Sequence, residues 1–193
     1  MDYAILNWIN STFGNSKFVA VLARILSFLG NKWFLIGVVI LLLCFKKTRK
    51  IGLYIMVAGG VTWLFNDFIL KNIIKRTRPF ETYGELSNMC ILSGGKLPDG
   101  YSMASGHAAI TMAVAVMLMF FSKKLGGCAI ALSVITGISR LVLCVHYPTD
   151  VFVGWCLGAI FAVGLFYATN WALKIINSKW GKSDEKVSNN NNK

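Results

Sequence analysis

The stretch SRLVLCVHYPTDV, Ser139 to Val151, decides how the rest of the chain is read. It sets Arg140, His146 and Asp150 within eleven residues, between the apolar runs LGGCAIALSVITGI and FVGWCLGAIFAVGLFYATNWAL. A charged side chain in or near a bilayer costs several kcal/mol unless it faces water, a partner or a substrate. The cluster is therefore a candidate site, and the question is which other segments meet it.

The composition makes the membrane reading firm. Of 193 residues, 55% are hydrophobic and 15% charged, where a soluble domain carries roughly a quarter charged residues. Several apolar runs approach or exceed the roughly 18–20 residues that cross a bilayer as a helix. The net charge of +12 sits mainly in short clusters between those runs. That pattern encodes membrane topology rather than nucleic-acid binding. The five cysteines have no CxxC spacing or paired framework, so neither a disulfide scaffold nor a zinc site is expected.

Working outward, five apolar spans are expected: 33–45, 51–70, a third opening at MASGHAAITM, 125–145 and 151–176. The fold class is thus an all-α integral membrane protein, a bundle of about five transmembrane helices. Residues 1–31, with Tyr3, Trp8 and Phe13, read as N-terminal amphipathic or interfacial helices broken at FGN. Residues 32–176 form the membrane domain, and the polar 177–193 read as a disordered tail. The basic clusters at 46–50, 123–124 and the C-terminus fall on one side of such a bundle, which the positive-inside rule makes the cytoplasm. The loop at 80–100 and the Arg140–Asp150 cluster then face outside.

Three segments converge on that outer face: KNIIKRTRP, with Lys71 and Arg78; ASGH, with Ser105, Gly106 and His107; and the opening stretch. Lysine and arginine recognise phosphate, arginine through a planar fork that binds two oxygens. Ser105 and Gly106 stand where the third span starts, and a helix N-terminus favours an anion. Pro148 suits a first helical turn, which lets Asp150 reach back to His146. A carboxylate on one ring nitrogen fixes the tautomer and leaves the other as nucleophile. His107 is placed to protonate a leaving oxygen.

These segments resemble the signature of the type 2 phosphatidic acid phosphatase superfamily, shared with vanadium haloperoxidases. Its first motif, Lys, six residues, Arg-Pro, is matched by Lys71, Arg78 and Pro79. Its third, Ser-Arg, five residues, His, three residues, Asp, is matched by Ser139, Arg140, His146 and Asp150. Its second, Pro-Ser-Gly-His, is matched at Ser105, Gly106 and His107, with Ala104 in place of proline. The resemblance covers roughly residues 50–175. It implies His146 as the nucleophile that forms a phosphohistidine, Asp150 as its orienting carboxylate and His107 as general acid. Lys71, Arg78, Ser105, Gly106 and Arg140 would bind the phosphate, with no metal and no cofactor.

The compact five-span form is similar to small bacterial undecaprenyl pyrophosphate phosphatases. That resemblance implies a multi-pass protein of the bacterial plasma membrane, acting at the outer face on undecaprenyl pyrophosphate. Two alternatives stay open: a phosphatidylglycerophosphate or phosphatidate phosphatase, and a non-catalytic phospholipid-binding or transport protein. Other polar residues have plainer readings. Lys75, Arg76 and Lys96 are expected to snorkel to head groups. Asp67, four residues before Lys71, shares its helix face and either orients or merely pairs with it. Gly154 and Gly158 are spaced for close helix approach.

Overall fold

A computed structural model describes residues 1–191, with side chains through Ser178 apart from Asn177. Helices α1 (Asp2–Phe13) and α2 (Lys17–Phe28) are separated at Gly14–Ser16, where the break is expected, and Ser16 caps α2 by accepting from Val19 N–H. Asn31 caps α3 (Lys32–Cys44) by accepting from Trp33 N–H. Helix α4 (Arg49–Leu64) runs into a π-helical turn, Phe65–Leu70, and the short α5 (Lys71–Ile74). The loop between α5 and α8 holds α6 (Pro79–Thr82), a 3-10 turn at Gly84–Ser87 and α7 (Asn88–Leu92). The remainder is α8 (Gly106–Met119), α9 (Lys123–Val142) and α10 (Pro148–Asn191).

All regular structure among the described residues is helical. The stretches Lys17–Cys44, Arg49–Thr82, Lys123–Val142 and Pro148–Ile176 are long and apolar enough to cross a membrane, and α8 is a shorter apolar helix. The five expected spans are thus α3, α4, α8, α9 and α10, in a multi-pass bundle. The backbone of α10 continues as helix through 177–191, where the sequence suggests a tail; most side chains of that tail, and all of residues 192–193, lie outside the described residues.

Helix α8 is the hub, packed on α4, α9 and α10. Four of its six buried residues are alanines, Ala108, Ala109, Ala113 and Ala115, beside Ile110 and Met117. Small residues let backbones approach where lipid supplies no hydrophobic drive between helices. The partner face on α10 is smaller still. A Cβ at Gly158 would stand 2.2 Å from the Ala109 carbonyl oxygen, and one at Gly154 2.8 Å from that of Ser105. Such overpacking costs about 1–3 kcal/mol. At the other end of the hub, Tyr54, Ile55 and Ala58 of α4 pack with Ala113, Met117 and Ala162.

At 14 residues and a rise of about 1.5 Å each, α8 is some ~21 Å long, short of a bilayer core of about 30 Å. The Ser105 turn at its N-terminus packs against Gly154 of α10 and adjoins a cavity lined by Trp63 of α4, Gly106 of α8 and Arg140 of α9.

The charge pattern predicts that the α6–α7 loop faces out of the cytoplasm. In a variant lacking the native cysteines, an impermeant thiol reagent applied to intact cells is expected to label Asn88→Cys, an exposed position. Labelling only after permeabilisation would invert the topology.

Candidate active site

The first segment is shaped by the π-helical turn. Its i→i+5 bonding shifts the helix face by one residue, and Asn66 becomes fully buried. Asn66 Nδ2 donates to the Ala104 carbonyl at 3.1 Å and to Asp67 Oδ1 at 3.2 Å. Asp67 also accepts from Trp63 Nε1 at 2.7 Å and pairs with Lys71 Nζ at 2.7 Å. Of the two readings of Asp67, orientation is the one this network supports. The ammonium of Lys71 is held by a carboxylate that is itself tied to the turn carrying Ser105.

Beyond α5, Lys75 takes a left-handed conformation (φ 51°), and the chain turns back toward Arg78. Pro79 opens α6 at its first position, while Glu81 accepts from Arg78 N–H at 3.0 Å. The Arg78 guanidinium is buried and donates to three backbone carbonyls: Gly100 at 2.8 Å, Val145 at 3.0 Å and Asp99 at 3.1 Å. A guanidinium has five N–H donors, so two remain to meet an anion. The three carbonyls fix the plane in which they point.

Ser105 is the N-cap of α8, yet its side chain caps nothing: Oγ is buried with no partner. The first-turn N–H groups of a helix have no intrahelical acceptor, and Gly106 lines the cavity beside them. On α9, Arg140 Nη1 donates to Ser27 Oγ of α2 at 2.7 Å, and its buried Nε has no partner. Ser139 turns back to its own helix, donating to the Thr136 carbonyl at 2.6 Å.

His146 lies in the connection between α9 and α10, almost fully buried, with Nδ1 3.6 Å from Asp150 Oδ2. That separation exceeds a hydrogen bond and closes with a small rotation of the ring. Burial drives the His146 pKa down to about 3; Asp150 pulls against this, while Arg140 and Arg78 reinforce it. The imidazole is therefore neutral at physiological pH, with a lone pair to offer.

Lys71, Arg78, Gly106, His107, Arg140 and His146 line one cavity of about 230 Å³. Asp150 stands behind His146, and Ser105 adjoins Gly106 at the helix start. All eight expected residues thus gather at one place in the fold.

Asp150 is held by residues that are not among the eight. Asp150 has no exposed surface, and its Oδ2 accepts from Tyr147 N–H at 2.9 Å and from the Ser102 hydroxyl. Its Oδ1 accepts from Arg76 Nη1 at 2.6 Å. The expectation that Arg76 snorkels to head groups is corrected here. Its other nitrogen, Nη2, pairs with Asp2 of α1 at 2.7 Å, and its guanidinium lies 3.9 Å over the Tyr147 ring. A buried carboxylate needs such partners to stay ionised. No spacing signal marks Arg76, because its two carboxylates are both 74 positions away in the chain.

A helical bundle of membrane-spanning length whose recess joins three cations to two histidines and a carboxylate fits a class, the membrane phosphohydrolases of lipids. The chain belongs to the PAP2 superfamily, whose profile matches residues 47–174. It is 34% identical over 149 residues to an undecaprenyl-diphosphatase of Sulfolobus acidocaldarius, covering 75% of this chain and 69% of that one. It is 30% identical over 140 residues to phosphatidylglycerophosphatase B of Bacillus subtilis, covering 68% and 66%. The chain thus spans about two-thirds of the length of these relatives. Its fold is similar to the crystal structure of Aquifex aeolicus LpxE, with a TM-score of 0.67 and 22% identity over 86% of this chain and 94% of that one.

Arg76 gives a sharp test. Arg76→Gln is expected to lower kcat by at least about tenfold, roughly 1.4 kcal/mol in barrier, with KM changed less than threefold. Arg76→Lys should recover only part, since one ammonium cannot bridge Asp2 and Asp150 as the fork does. Unchanged kcat would restore the snorkelling reading.

Proposed function

We propose that this protein is a metal-independent membrane lipid phosphatase that converts undecaprenyl pyrophosphate to undecaprenyl phosphate at the outer face of a bacterial plasma membrane. The observation that carries the reading is the single cavity shared by Lys71, Arg78, Gly106, His107, Arg140 and His146. The undecaprenyl-diphosphatase relative supports the choice of lipid.

In this reading the terminal phosphoryl group lies among Lys71, Arg78, Arg140, Ser105 and the α8 N-terminus. Fixed donors there stabilise the charge that develops in the transition state. Neutral His146, with Asp150 behind its Nδ1, attacks phosphorus through Nε2. The bond from phosphorus to the leaving oxygen breaks, and His107 gives that oxygen a proton. His107, now a base, takes a proton from water, whose oxygen attacks the phosphohistidine. The P–N bond breaks, and inorganic phosphate and free His146 result.

A second reading, a phosphatidylglycerophosphate or phosphatidate phosphatase, draws on the phosphatidylglycerophosphatase B relative. The same residues would act, with an alcohol as leaving group. A non-catalytic binder of phospholipid is disfavoured by the site's composition. Cations suffice to hold a head group; a buried neutral histidine backed by a carboxylate and a second histidine do not add to holding it.

The assay is phosphate release with excess chelator on nitrophenyl phosphate, a lipid monophosphate and undecaprenyl pyrophosphate. Wild type is expected to turn over without divalent metal. His146→Ala should lose activity on all three substrates alike, since no covalent intermediate forms. His107→Ala should retain most on nitrophenyl phosphate, least on the lipid monophosphate and an intermediate share on the diphosphate, following each leaving group's need for a proton. Equal losses for His107→Ala would leave it a phosphate ligand rather than an acid.

A further inference from the structure

The catalytic cavity does not end at His107. A second cavity of about 570 Å³ adjoins it, and Asn31, Pro98, His107 and Arg140 line both. Arg24 of α2 and Lys96 of the loop between α5 and α8 line only the second. No carboxylate lines it. Among the described residues none of Arg24, Lys96 and Arg140 makes an ion pair. Arg24 and Lys96 are exposed and Arg140 is half-buried, and an anion in the recess would be attracted by all three.

The cations are positioned rather than scattered. Arg24 Nη1 reaches the Ser93 carbonyl at 3.5 Å and lies 2.8 Å from where a Cβ at Gly95 would stand. The loop thus closes around the guanidinium where glycine leaves room. The Lys96 carbonyl accepts from Cys90 Sγ at 3.5 Å, fixing that part of the loop to α7. Arg140 lines both cavities, and its buried Nε has no partner. Ser27, Asn31 and Ser93 also line the second cavity, and Val21, Ile25 and Phe28 of α2 form an apolar part of the wall.

We infer that the second cavity is a subsite for the inner phosphate of a lipid diphosphate, held by Arg24, Lys96 and Arg140. The inference rests on the proposed phosphatase function and deepens it. If His146 attacks the terminal phosphorus, the leaving oxygen must lie by His107. The next phosphate along the substrate then falls on the far side of His107, where this cavity begins. The lipid chain continues along Val21, Ile25 and Phe28, the last two exposed on the outside of α2. A monophosphate lipid would place no anion there. Arg24 lies outside the matched residues 47–174, while Lys96 and Arg140 lie within them.

The test uses the full chain in detergent micelles, wild type and the double variant Arg24→Gln/Lys96→Gln. Two quantities are measured: kcat/KM on a lipid diphosphate and on the monophosphate of the same lipid, and binding of methylenediphosphonate and of inorganic phosphate by calorimetry. The diphosphate-to-monophosphate ratio of kcat/KM should fall at least tenfold in the variant. Methylenediphosphonate should bind wild type at least tenfold more tightly than phosphate, and the variant should lose that preference. Arg24→Lys/Lys96→Arg, which keeps both charges, should retain most of the ratio. Equal loss on both lipids, or no loss on either, overturns the subsite. Should wild type cleave only the monophosphate, the undecaprenyl pyrophosphate reading falls. The calorimetry then still decides the subsite, which stands if the diphosphonate preference depends on Arg24 and Lys96 and falls if it does not. Inorganic pyrophosphate cleaved as well as the lipid diphosphate would overturn the assignment to a lipid-borne diphosphate.

Discussion

A carboxylate with no exposed surface stays ionised only if its neighbours replace the water it has lost, and Asp150 is that group here. Its partners come from separate parts of the chain: Arg76 beyond α5, Ser102 ahead of α8, the Tyr147 backbone, and His146. Through Arg76 the network reaches Asp2 in the first helix. The backbone is joined to it as well, since Ser105 N–H donates to the Asp150 carbonyl at 3.0 Å. Removing this one carboxylate would leave Arg76 paired with Asp2 alone and cut the links that Ser102 and Tyr147 N–H make to the start of α10.

Buried polar backbone sets the second constraint. Between α5 and α8 the chain runs as irregular loop and short helices, and the backbone groups it buries need partners within the protein. Arg78 does part of this by serving three carbonyls at once. The same bonds that settle the loop hold the guanidinium at the cavity, so structure and the proposed phosphate recognition share a residue. The tight contact of α8 on Gly154 and Gly158 has a similar double effect. It brings the Ser105 turn against the start of α10, which carries Asp150.

Much of this was legible in the sequence. Charges inside greasy runs are rare enough that Lys71, Arg78, His107, Arg140, His146 and Asp150 announce themselves, and their fixed spacings group them into three segments. The spans were legible because apolar length is a direct reading of bilayer thickness, and the Asp67–Lys71 pair because helical neighbours lie four residues apart. Arg76 was not, since a lone arginine at the end of a span has an ordinary reading and its carboxylates are remote in the chain. Nor was Asn66, which turns inward only because of the π-helical turn, a local irregularity without a spacing signature. Ser102 and Arg24 depend on loop and helix packing that no motif encodes.

The central claim is that these segments form one covalent phosphoryl-transfer site with His146 as its nucleophile. Wild-type protein given undecaprenyl pyrophosphate labelled in the terminal phosphate, quenched in alkaline detergent within a single turnover, should carry the label on one residue. Peptide mapping is expected to place it on His146 as an acid-labile phosphohistidine, absent from His146→Ala. Label on any other residue, or a complete turnover that passes without labelled protein, would contradict the account.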